Sequence, residues 1–152
     1  MSVLVDTNVL LRVAQLASPH HLVAKTALLR LAENGVELTL VPQVIYEFWG
    51  VATRPIESNG LGMDVRAAER SVQQLIQDYR LLKDERGVFD QWLLQVTSQG
   101  VRGKTAHDAR LIAAMLRHGV SNLLTFNAAD FVRFKSVMTY TPADVLGGRI
   151  PA

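Results

Sequence analysis

The sequence predicts an α/β fold, a three-layer α/β/α sandwich built on a parallel sheet. Short apolar runs of strand length recur along the chain, stretches with helical spacing separate them, and turn signals stand between the two kinds. Strands that alternate with helices pair in parallel, because each crossover helix carries the chain back to the same end of the sheet. The length of 152 residues fits one domain, 1–152, and the chain shows no internal repeat or low-complexity tract.

Ser2–Val5 reads as a buried first strand: it is short, apolar and does not alternate, and it ends at Asp6. Thr7–Leu16 follows with helical spacing. Ser18 and Pro19 together signal a helix start, with Ser18 as N-cap and Pro19 at the first helical position. That helix carries Leu22, Thr26, Leu29 and Leu31 and stops at Asn34-Gly35. Glu37–Val41 is the second expected strand. Pro42 opens a helix with Val44, Ile45, Phe48, Val51 and Ala52 at core spacing, and Arg54-Pro55 closes it. Residues 54–63 form a loop. Asp64 caps an amphipathic helix bearing Val65, Ala68, Val72, Leu75, Ile76 and Tyr79. Arg80–Leu82 is a short third strand, Val88–Val96 is helical, and Thr105–His118 is a helix ended by Gly119. Asn122–Phe126 and Ser136–Tyr140 are the last strands, before a tail containing Gly and Pro.

Composition narrows the function classes. There are no cysteines, which excludes disulfides, Cys-ligated zinc and thiol nucleophiles. No segment approaches the roughly 18 consecutive apolar residues of a membrane span. Asp6 and Arg12 interrupt the apolar start, and no basic segment precedes it, so it reads as a strand and not a signal peptide. A cytoplasmic location is the default expectation. The net charge of +2 and a pI near 9.2 fit a polyanionic partner only weakly, since the basic residues are scattered and form no dense run.

Three carboxylates occupy unusual places. Asp6 ends the first strand, where open α/β sheets border their ligand crevice; a plain helix cap fits it equally well. Glu47 sits in an otherwise apolar helix, with Val44 and Val51 at i−3 and i+4 on its face. It is either snorkelling to solvent or held there for a purpose. Asp108 lies in the first turn of its helix, with Leu111, Ile112 and Met115 at i+3, i+4 and i+7. Complementing the helix N-terminus would also explain it. Asn127 follows a strand as Asp6 does, and it also suits a turn. Asp130, a cap or surface acid by type, is near in sequence. Clustered carboxylates repel, and a divalent cation relieves that conflict. An all-oxygen donor set suits Mg2+ or Mn2+ and disfavours zinc. Such an ion can activate a bound water.

Four segments carry a family resemblance. Val5-Asp6-Thr7-Asn8-Val9-Leu10, Tyr46-Glu47-Phe48, His107-Asp108-Ala109-Arg110-Leu111-Ile112-Ala113-Ala114, and Leu124-Thr125-Phe126-Asn127 with Asp130-Phe131 resemble, in order and spacing, the motifs of PIN domains. They are most like the VapC-type ribonuclease toxins of toxin–antitoxin pairs. No single motif is specific; the ordered set is. The resemblance implies strand order 3-2-1-4-5, with Asp6 and Asn127 meeting where the order reverses and Glu47 and Asp108 completing the cluster. It implies a divalent-metal-dependent endoribonuclease acting on RNA, tRNA or another structured RNA among the candidates. Asp6 and Asp108 are then primary metal ligands. Glu47 is a ligand directly or through water and orients the attacking water. Asn127 binds metal, water or a phosphate oxygen. Asn8 and Thr125 orient the carboxylates.

The fourth family position is commonly Asp and here is Asn127, which leaves one metal or two open and gives Asp130 a missing charge to supply. His107 lies about 100° around the helix from Asp108, better placed for structure or substrate contact than for ligation. The resemblance further implies a homodimer and a small antitoxin partner. Phe48, Trp49, Leu61 and Met63 are candidates for its surface, although Phe48 suits the core better. Arg54, Arg66 and Arg86 are candidates to grip phosphates. A haloacid-dehalogenase-like phosphatase would need a second Asp where Asn8 stands, and a receiver domain would need an acidic pair beside Asp6. The alternative that remains is a PIN-like domain that has lost activity and binds RNA or protein, an idea that Asn127 motivates.

Overall fold

In the computed structural model, which describes residues 1–152, the chain runs Ser2–Val5 (β1), Thr7–Ala14 (α1), His21–Glu33 (α2), Glu37–Leu40 (β2), Pro42–Ala52 (α3), Val65–Asp78 (α4), Arg80–Leu81 (β3), Arg86–Ser98 (α5), Thr105–His118 (α6), Asn122–Leu124 (β4), Met138–Tyr140 (β5) and Pro142–Leu146 (α7). Short 3-10 turns cover Ile56–Ser58 and Ala128–Phe131. The five strands form one parallel sheet in the order β3-β2-β1-β4-β5, as expected. Val3, Leu4 and Val5 of the central strand are fully buried, which is why that run is apolar on both faces. Val3 pairs with Leu38 of β2 and Val5 with Leu124 of β4. The strands and the inward faces of the helices share one cluster of 30 buried residues. No helix is long and apolar enough to cross a membrane.

Several boundaries differ from expectation for identifiable reasons. Ser18 does not cap α2. Its Oγ accepts from the His20 amide at 3.1 Å, and its carbonyl accepts from His21, so Ser18-Pro19 makes a turn and the helix begins at His21. The buried face of α2 is Ala24, Ala27, Leu28 and Leu31, while Leu22 and Leu29 are 71% and 53% exposed. Small alanines there let α1 and α7 lie close. Strand β4 stops at Leu124, two residues short of Phe126, because the chain turns at Thr125 to serve the crevice. Helix α5 extends beyond Val88–Val96 at both ends. Helix α4 packs lightly: only Ala68 is buried, and Val65 is exposed.

The tail holds a helix that its Gly and Pro content concealed. Thr141 Oγ1 accepts from the Asp144 amide at 3.1 Å, and Asp144 Oδ2 accepts from the Thr141 amide at 2.9 Å. This is a reciprocal capping box with Pro142 at the first helical position. Arg30 of α2 donates to the Leu146 carbonyl at 2.8 Å and anchors α7 at its end.

Gly60 shows how tightly the 54–63 loop is folded. A Cβ built there would lie 2.0 Å from the Arg54 carbonyl oxygen, which is backbone and cannot rotate away. Gly60→Ala is therefore expected to cost about 1–3 kcal/mol and to lower Tm by about 2–10 °C in a thermal melt. An unchanged melt would show that the loop yields freely.

Candidate active site

The chain leaves β1 for β2 and β3 on one side, then returns to place β4 and β5 on the other. A crevice opens where the order reverses, between the ends of β1 and β4. Asp6 stands at that point. Its amide donates to the Leu124 carbonyl at 3.0 Å, which extends the β1–β4 ladder to the crevice edge. The residue is buried and both carboxylate oxygens are engaged. Oδ1 accepts from the Thr7 amide at 2.8 Å, and Oδ2 accepts from Thr125 Oγ1 at 2.8 Å and Asn8 Nδ2 at 3.2 Å. Asp6 is thus both the N-cap of α1 and a wall of the crevice.

Asn8 and Thr125 hold this carboxylate from two elements. Asn8 Oδ1 accepts from the Phe126 amide at 3.1 Å, tying α1 to the segment after β4. Thr125 Oγ1 donates to Asp6 and accepts from the Asn127 amide at 3.0 Å. The turn after β4 and the Asp6 side chain therefore share one fully buried hydroxyl group.

The crevice is a pocket of about 250 Å3, and Asp6, Asn8, Glu47, Asp108, Asn127 and Asp130 all line it. All four sequence-predicted acids come together there, with Asn127 beside them. None of the four has a salt-bridge partner; every ion pair in the molecule lies elsewhere. Burial raises the Asp6 carboxyl, partly offset by its bonds from Thr125, Thr7 and Asn8. Loss of water around the carboxyl also raises Glu47, and the negative charge of Asp6 adds to this; the residue as a whole is exposed, so the burial concerns its end. Asp108 is raised to about 6 by desolvation and then by the charges of Asp130, Asp6 and Glu47. Three carboxyls move in the same direction in a pocket that no Lys, Arg or His lines.

A hydrogen-bonded clamp that sequence reasoning missed sets the distance between α3 and α6. Gln43 Nε2 donates to the His107 carbonyl at 3.0 Å, and Arg110 Nη1 donates to Gln43 Oε1 at 3.0 Å. Gln43 precedes Glu47 by one turn, and His107 adjoins Asp108, so the clamp ties together the two helices that carry these acids. The i, i+4 spacing of Gln43 and Glu47 was the only local sign of it.

The donor set fits a hard divalent cation. It consists of carboxylate and amide oxygens, with excess negative charge and no thiolate. As they lie, no three His, Asp or Glu side chains converge closely enough to hold an ion by themselves. His107 is exposed and lines the neighbouring cavity, not this one.

A family model for the PIN domain matches residues 3–136. The chain belongs to the PIN domain family. Solved structures of low sequence identity share its fold. VapBC2 from Rickettsia felis, bound to a promoter DNA fragment, aligns over 93% of this chain and 98% of its own at 13% identity, with a TM-score of 0.68. Mycobacterium tuberculosis VapC20, described as a sarcin-ricin loop cleaving toxin, aligns over 84% of this chain and 92% of its own at 19% identity and a TM-score of 0.63. A toxin–antitoxin complex from Klebsiella pneumoniae aligns over 92% and 97% at 15% identity and a TM-score of 0.61. No curated protein matches the chain in sequence.

The remaining candidates of this PIN domain divide by burial. Phe48 is 2% exposed and belongs to the core, which removes it from any partner surface. Trp49, Leu61 and Met63 are half-buried, the last two packed against that core. Arg54, Arg66 and Arg86 are exposed, and none lines the acidic pocket.

Proposed function

We propose that this PIN domain is a divalent-metal-dependent endoribonuclease and the toxin of a toxin–antitoxin pair. The observation that carries the reading is the convergence of four carboxylates without counter-charges on one pocket at the sheet's reversal point. Removing one partner of a buried charge pair is costly, and unpaired clustered acids are costlier still unless something binds them. Asp6 and Asp108 would hold Mg2+ or Mn2+, Glu47 would hold it directly or through water, Asn127 would offer a neutral oxygen, and Asp130 would supply the fourth charge. When bound, the ion supplies electrophilic activation of water and charge stabilisation on the phosphate. Glu47, whose carboxyl is raised, orients the attacking water and accepts its proton at a carboxylate oxygen. Asn8 and Thr125 keep Asp6 aimed throughout.

The descriptions of VapC20 as a toxin that cuts the sarcin-ricin loop and of the Klebsiella assembly as a toxin–antitoxin complex support structured RNA as the substrate and a small antitoxin as a partner. A homodimer in the cytoplasm completes this reading. Arg54, Arg66 and Arg86 would contact phosphates. Neutralising one of them should weaken RNA binding and flatten its salt dependence, and an unchanged slope would remove that residue from the interface.

The deciding experiment is cleavage of a structured-RNA pool, tRNA included, by purified protein with Mg2+ or Mn2+ against EDTA. Discrete cuts that require the metal support the reading. Metal binding has its own readout. Mn2+ at about a hundred times its Kd is expected to add about 2.7 kcal/mol of stability, several degrees of Tm, to the wild type and far less to Asp108→Asn. A pocket indifferent to Mn2+, with no cleavage, would favour the binding-module alternative that Asn127 raised.

A further inference from the structure

Beside the acidic pocket lies a second cavity of about 450 Å3 between the starts of α5 and α6. It adjoins the first through His107, which lines it and precedes Asp108 in the chain. Phe89 and Trp92 supply its aromatic wall, and His107 and Arg110, from the helix that carries Asp108, supply cationic and hydrogen-bonding edges. Phe89 is 61% exposed, far more than core packing would leave it. Its ring centroid stands 5.9 Å from that of Trp92, with 34° between the planes. Trp92 Nε1 donates to the Ala106 carbonyl at 2.8 Å, so the indole is fixed before any ligand arrives.

The acids on the rim are already paired. Asp84 accepts from Arg110 at 3.1 Å, and Glu85 accepts from Arg117, which reaches it across Gly87. A Cβ at Gly87 would lie 2.3 Å from Arg117 Nε and block that pairing. The cavity therefore presents aromatic faces with polar edges and little uncompensated charge.

We propose that this cavity binds one unpaired nucleobase of the RNA, next to the phosphate presented to the acidic pocket, stacked against Phe89 and Trp92 with Arg110 and His107 at its edge. The proposal rests on the ribonuclease reading of the neighbouring pocket. An unpaired base needs a flat apolar face with a few polar groups at its edge, and the lining offers Phe89 and Trp92 as the face with His107 and Arg110 beside them.

The test uses the full chain as Asp108→Asn, which keeps RNA uncut, with Trp49→Phe leaving Trp92 as the sole tryptophan. Single-stranded RNA oligonucleotides are titrated while end-label anisotropy reports binding and tryptophan emission reports stacking. Binding is expected to quench Trp92. Phe89→Leu, which keeps apolar bulk and loses the π face, is expected to weaken binding about 5- to 150-fold, and Phe89→Tyr is expected to restore it. Melts of each variant check that the fold is intact. RNA that binds without quenching, or with equal affinity to Phe89→Leu, overturns the base site and leaves the nuclease reading standing; the exposed face would then belong to an apolar protein partner. RNA that neither binds nor is cut by the wild type overturns both.

Discussion

Asp108→Asn is expected to lower RNA cleavage by about 100- to 1000-fold while leaving a protein that folds and resists heat slightly better than the wild type. The amide keeps the shape of the carboxylate and removes its charge. That charge is the one the pocket tolerates least, since Asp108 is raised to about 6 by desolvation and by Asp130, Asp6 and Glu47. A carboxyl raised above its unfolded value contributes stability that is fully present below the unfolded pKa and lost as pH rises through the folded one. In EDTA the wild type should therefore lose stability between about pH 4 and pH 6 from this residue, and the amide variant should not. Asp108 is only half-buried, so solvent screening holds the difference to about 1 kcal/mol, or about 2–4 °C in Tm at pH 8. Melts of both proteins at pH 4.5 and pH 8, beside a cleavage assay with Mn2+, give the answer. A variant that melts lower at pH 8 would make Asp108 a structural residue. One that cuts normally would remove it from the machinery.

The second large effect falls on a residue with no charge. Thr125→Val is nearly isosteric and removes the hydroxyl that donates to Asp6 and accepts from the Asn127 amide. The buried Asp6 carboxylate loses a charge-assisted bond, which costs about 1.5–3 kcal/mol in a urea titration. The same bond is the largest of those lowering the Asp6 carboxyl, so its loss raises that carboxyl further and leaves less carboxylate at neutral pH. Mn2+ affinity, measured by calorimetry, should fall about 10- to 100-fold, and the deficit should narrow as pH rises. Thr125→Ser keeps the oxygen and should recover most of both losses. Wild-type metal affinity in Thr125→Val would show that the hydroxyl serves the fold alone.

Much of this arrangement was legible in order of sequence distance. β1 and Asp6 could be read because an apolar run ending in a carboxylate is a local pattern, as is the Asp108 position in the first turn of α6. The capping box of α7 was equally local, Thr141 and Asp144 three residues apart, and composition hid it. Ser18-Pro19 misled because the same two residues serve a turn as well as a helix cap. The premature end of β4 was not legible, since it depends on Thr125 meeting Asp6 across the crevice. Nor was the clamp of Gln43, His107 and Arg110, whose partners come from separate helices and whose residue types would suit any surface. Exposure was the other failure. Phe48 was rightly placed in the core, but nothing local marked Phe89, in the expected helix Val88–Val96, as a residue that stands largely in solvent.

The bond between Thr125 and Asp6 spans 119 residues of chain. At a synthesis rate of about 5–20 residues per second, about 6–24 seconds separate the making of the two ends. For most of that interval the central strand can pair with β2 but lacks β4, and the acidic pocket lacks Asp108 until α6 is made and the hydroxyl that aims Asp6 until the end. On the ribonuclease reading, a nascent chain is inactive until it is nearly finished. Any product that stops before α6 lacks both Asp108 and Thr125, and on the same reading a partner has that delay in which to be waiting.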